Sequence, residues 1–161
     1  MRPMHAAPMR NWALWPPVAG SRHTARETYM NLDIEARGAR MARIWIRISV
    51  IYLMAGVGLG IYMAANMAFQ YAPVHAHVQL VGWASMALAG LIYDRFPKAG
   101  GSRLGLAHFW LHNLALPFAM LMLFLVLGGN MDVKPLLTAG EIGLALGLAL
   151  FTANVQLNLK R

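Results

Sequence analysis

From residue 48 onward the chain reads as four apolar runs separated by short polar breaks. The runs cover 48–69, 75–93, 104–127 and 135–157. Each is close to the ~20 residues that carry an α-helix across ~30 Å of hydrocarbon. The breaks read QYAPV, DRFPKAGGSR and GGNMDVK, too short for anything but a tight reversal, so consecutive helices become antiparallel neighbours. Irregular backbone is confined to these breaks, as a bilayer requires. The pattern predicts an all-α membrane protein, a four-transmembrane-helix antiparallel bundle.

The first forty residues break this pattern. They are polar and basic, and Pro3, Pro8, Pro16 and Pro17 oppose any helix. No apolar core of useful length precedes a small-residue cleavage site, so a secretory signal is not indicated. The reading is a leader over 1–40, disordered or mis-annotated, with Met30 or Met41 as alternative starts, followed by a four-helix domain over 41–161. A basic arm resting on anionic lipid is the other reading of the leader.

Composition agrees. Hydrophobic residues make up 58% of the 161 and charged residues only 12%, against about 25% in a soluble domain. With no cysteine, disulfides, thiolate metal sites and thiol redox chemistry are excluded. The net charge of +8 raises nucleic acid as a partner, but the surface it would need is hydrocarbon. The basic residues instead flank the apolar runs. Arg37, Arg40, Arg43 and Arg47 precede the first, Arg95, Lys98 and Arg103 fill the second break, and Lys160 and Arg161 close the chain. The other two breaks hold only Lys134. By the positive-inside rule both termini and the middle connection are cytoplasmic.

Small residues point to close helix packing. Gly56-x-x-x-Gly60 and Gly143-x-x-x-Gly147 let backbones approach, and packing within the bundle is favoured over an oligomer interface. Pro117 is expected to kink the third span. The twelve methionines serve as filling, with no cluster spaced for copper.

Chemistry concentrates where the second span opens, at His75-Ala76-His77-Val78-Gln79. Ionisable groups inside a membrane are costly and point to function. Residues two apart on a helix diverge by roughly 200°, so His75 and His77 serve two sites rather than one metal. The plainer alternative is a pair of interfacial histidines bonded to backbone carbonyls. Gln79, one turn beyond His75, belongs to the same polar group. Glu141 lies about 9 Å into the fourth span, close to the depth of the histidines. It either pairs with one of them or is held neutral by burial. His112 is expected roughly 12–15 Å deeper than His77, too far to share an iron, and His108 and His112 are expected to bond to Asn113 or to facing backbone.

The segment His75-Ala76-His77, followed by Gly90, Tyr93, Phe96-Pro97 and then His108-Phe109-Trp110, resembles part of haem–copper (cytochrome c) oxidase subunit I. The resemblance covers about residues 73–113, and the chain is also similar to short stand-alone bacterial membrane proteins with the same H-A-H segment. It implies haem as cofactor, with His75 matching the ligand of the high-spin haem and His77 that of the low-spin haem. It gives His108 no iron. The helices that carry the family's copper site are missing, so copper is not expected. The implied function is a haem-binding integral membrane redox protein whose binding residues are His75, His77, Gln79 and Glu141, with His77 and His75 as metal ligands. Whether it is an enzyme stays open; an active form would be an oxidoreductase. The alternative is a non-catalytic small membrane subunit or scaffold of a respiratory complex. The expected setting is the bacterial inner membrane, with lipid, a respiratory-chain protein and further copies of the chain as partners.

Overall fold

A computed structural model describes residues 22–158, and these are nearly all helical. Helix α1 spans Arg22–Asn66. The second span comprises α2 (Ala72–His77), a π-helical segment (Val78–Ala84) and α3 (Ser85–Arg95). A short α4 (Pro97–Gly100) leads into α5 (Arg103–Leu127), and α6 spans Lys134–Asn158. Four stretches, Arg26–Asn66, Phe69–Arg95, Arg103–Leu127 and Met131–Asn158, are long and apolar enough to cross a membrane.

The side chains left outside explain themselves only in lipid. Ile51, Met54, Ile61, Leu80, Leu114 and Leu146 are all more than half exposed. In water so continuous an apolar surface would drive aggregation; in hydrocarbon it is the correct solvent contact. The chain is a multi-pass membrane protein.

One difference from the sequence reading stands out. Residues 22–40, expected to lie ahead of the helical domain, already belong to α1 and continue it without a break. Tertiary packing accounts for part of this extension. A methyl group added at Gly38 would sit 1.8 Å from the Pro97 carbonyl oxygen, and one at Gly101 2.1 Å from that of Ile34, so the start of α1 lies directly on α4. Lys98 adds an ion pair to Glu35 at 3.7 Å. Residues 1–21, which hold the four prolines, lie outside the described residues. Pro117 lies inside α5, which continues to Leu127.

Glycines set the helix pairings. Along α1, Gly38, Ala42, Tyr52, Gly56 and Gly60 meet Gly100, Gly90, Gly82, Gln79 and His75 in turn. Along α6, Gly140, Gly143 and Gly147 meet Ala119, Ala115 and His112. Numbers rise on one helix as they fall on its partner. Both glycine pairs flagged in the sequence therefore pack inside the chain.

The α1 and α5 helices end in the same way. Ala68 N–H reaches back to Met63 O (2.9 Å) around Met67 at φ 52°, and Asn130 N–H to Leu125 O (3.0 Å) around Gly129 at φ 103°. Both are six-to-one closures around a left-handed residue. Glycine takes that conformation freely, whereas methionine is strained in it. Next to these caps Tyr71 stacks on Phe124, with ring centroids 4.2 Å apart.

Candidate functional site

Two polar regions lie within the spans. The first is fully enclosed. His108 and His112, one turn apart on α5, are 1% exposed, and Trp45 from α1 is completely buried against them. The Trp45 indole stacks on His108 (centroids 4.6 Å, 24°) and meets His112 edge-on (5.3 Å, 73°).

The hydrogen bonds around His108 fix its tautomer. Asn154 Nδ2 donates to the Tyr93 hydroxyl at 3.2 Å and to Ala99 O at 3.0 Å. An amide nitrogen can only donate, so the Tyr93 oxygen accepts there. Its own hydrogen then goes to His108 Nδ1, 2.9 Å away. Nδ1 is therefore the bare nitrogen of a neutral ring. Asn154 Oδ1 is occupied as well, lying 2.7 Å from Asn158 Nδ2 and 2.8 Å from Ser102 Oγ. This network ties α3, α5 and α6 together where the second connection meets the end of α6.

His112 has a different partner. Its Nε2–H points to Val81 O at 3.3 Å. The π-helical segment creates that acceptor. Ser85 N–H still bonds five residues back, to Leu80 O. When the spacing returns to four, the next carbonyl in line, that of Val81, is skipped by the backbone. His112 supplies the missing donor. Its Nδ1 and the Trp45 Nε1 are left without partners among the described residues.

The second region contains the histidines singled out in the sequence. The structure parts them. His75 is half-buried against α1, its Nδ1–H donating to Gly56 O at 3.0 Å. Its Cε1 would lie 3.1 Å from a methyl group on Gly60. Gln79 follows it into the same notch, at 2.6 Å from a methyl on Gly56, and its Oε1 is buried without a partner among the described residues. The Gly56-x-x-x-Gly60 pair therefore makes room for two polar side chains.

His77 turns the other way and is exposed. Its Nδ1–H donates to Pro73 O, one turn back, at 2.8 Å. Nε2 is then the ring's bare nitrogen. His77 lines a groove of about 310 Å³ together with exposed Glu141 from α6. The remaining walls, including Val81, Met120 and Leu144, are apolar.

Several expectations change here. Asn113 is no partner to either buried histidine; its Nδ2 bonds to Phe109 O in its own helix at 2.8 Å. His108 finds Tyr93 instead, while His112 does meet facing backbone. The offset between His77 and His112 is also smaller than expected. His112 reaches Val81, four residues beyond His77, which is about 6 Å along the axis. The helix that carries His77 starts at Ala72, three residues before the predicted start. His112 nonetheless spends Nε2 on Val81 and is walled off by Trp45.

Trp45 and Asn154 were not singled out from sequence. Asn154 had a signal, an amide inside an otherwise apolar run. Trp45 had none that separates it from an interfacial tryptophan. Among the described residues no group of three or more His, Asp or Glu side chains converges as a metal site. No family model matches the chain, and no curated protein or solved structure matches it.

Proposed function

We propose that the chain is a haem-binding redox protein of the bacterial inner membrane, with His77 as the residue that would hold the iron. The orientation of His77 carries this reading. Its Nδ1–H is held by a backbone carbonyl, which fixes the ring and leaves a bare Nε2 on a side chain that lines an apolar-walled groove. That donor and that lining suit a porphyrin held by one nitrogen. Bound there, haem would supply one-electron chemistry at the iron.

The protein's part is to hold and orient. Pro73 O fixes the His77 ring, Val81 and Leu144 exclude water from the groove, and Glu141 places a carboxyl group beside it. His75 fits the role less well, because its ring is lodged in the α1 notch. In this reading His75 and Gln79 fasten the second span to α1, and His108 and His112 hold the bundle together.

The overall arrangement proposed is an antiparallel four-helix bundle with both termini and α4 in the cytoplasm. The excess of Arg and Lys at that end supports it, as do the descending and ascending glycine pairings. We further propose a homo-oligomer that covers the groove. An exposed glutamate about 10 Å into α6 is costly against lipid, and a second copy brings a matching His77 and Glu141 to the same depth. The partner copy's histidine, or Met120 in the same groove, would be the second residue to hold the group.

A second reading, a non-catalytic subunit of a respiratory complex, draws on the Tyr93–His108–Asn154 network, which is internally paired and needs no ligand. Purification in mild detergent from haem-replete cells separates the two. A Soret band lost in His77→Ala supports haem binding, and a colourless full-length protein supports the scaffold.

A further inference from the structure

We propose a binding site for the phosphate headgroup of an anionic phospholipid where α1 crosses the start of α5. A pocket of about 140 Å³ opens there, lined by Arg37 and Arg103 with Ser102 between the helices and Met41 and Leu106 below. It is separate from the His77 groove and does not depend on haem.

The lining is graded like a lipid. Arg37 and Arg103 are exposed, at the end of the bundle that carries the basic excess. Met41 lies one turn further along α1 and Leu106 one turn along α5, both toward the apolar spans. Charged donors therefore sit at the basic end of the bundle, with apolar side chains one turn nearer the spans, in the direction an acyl chain would follow.

The charges are placed to receive a phosphate. Arg37 is ion-paired with Asp33 one turn earlier in its own helix. That contact uses Nη2, and a guanidinium carries further N–H donors on its other edges. Among the described residues no carboxylate lies in ion-pair distance of Arg103. Ser102 is already committed, accepting from Gly105 N–H and lying 2.8 Å from both Ala99 O and Asn154 Oδ1, so it shapes the floor rather than binding. Two guanidiniums from different helices, over an apolar floor, match an anionic phosphodiester. A zwitterionic headgroup would bring its own cation into the same crowded charge.

Native mass spectrometry of the full chain, released from mild detergent with equal phosphatidylglycerol and phosphatidylcholine, tests the site. Preferential retention of phosphatidylglycerol is expected, weakened roughly fivefold by Arg37→Gln or Arg103→Gln. Arg43→Gln, exposed but outside the pocket, is the control for diffuse attraction, and Arg103→Lys should retain most of the preference. Equal retention of the two lipids overturns the proposal. So does an equal loss in Arg43→Gln. Binding of inorganic phosphate with no preference between the lipids replaces the lipid headgroup by a free-anion site.

Discussion

Tyr93 donates its phenolic hydrogen to His108 Nδ1 across 2.9 Å while accepting one from Asn154, so a single hydroxyl joins α3, α5 and α6. All three side chains are fully or almost fully buried. Tyr93→Phe keeps the ring and its contact with Phe151 but strands His108 Nδ1 and one Asn154 hydrogen. A buried orphaned group costs about 1–3 kcal/mol. Unfolding in detergent should show a loss of that size. Asn113→Ala, which removes only a bond within α5, should lose well under half as much.

The second prediction concerns Gly38. A methyl group there meets backbone at Pro97, which has no flexible side chain to move aside. Gly38→Ala should separate the start of α1 from α4 and lower stability by about 1–3 kcal/mol. A methyl group at Gly58 meets nothing within 4 Å among the described residues, and alanine is the better helix former. Gly58→Ala should be neutral or slightly stabilising, read from the same melting curves.

Met67 offers a gain. It holds φ 52° to close α1, a conformation that glycine adopts freely at the end of α5. Met67→Gly should raise stability by up to about 1 kcal/mol. Gly129→Ala, at φ 103°, should lower it. Opposite signs at the two caps are the check.

What the sequence makes legible follows from the solvent. Hydrocarbon imposes length and apolarity residue by residue, so the predicted second, third and fourth spans end within three residues of the observed helices. The start of α1 is not legible because it depends on a remote partner: nothing in 22–40 announces that Gly38 will lie on Pro97. The π-helical segment is hidden for a related reason. Its skipped carbonyl at Val81 is tolerated because His112, thirty-one residues away, supplies a donor. The His75–His77 pair was legible as a polar opening of the second span and as two divergent directions. Which histidine meets α1 and which meets the groove is set by Gly56 and Gly60, and by α6 across the bundle.

Orientation gives a fourth prediction. Reporter fusions after Lys98 and after Arg161 should read cytoplasmic, and one at Asn130 external, because the basic residues are so unevenly placed. An external reading at Lys98 would invert the bundle.

The most direct measurement of the central claim is the absorption spectrum of purified chain, with haem and iron quantified per polypeptide, for the parent protein, His77→Ala and His75→Ala at matched folding. A Soret band is expected in the parent that His77→Ala abolishes or strongly shifts, while His75→Ala leaves the haem bound and mainly loosens α1 from the second span. A spectrum lost in His75→Ala but intact in His77→Ala would contradict it, and so would a well-folded parent protein that takes up no haem at all.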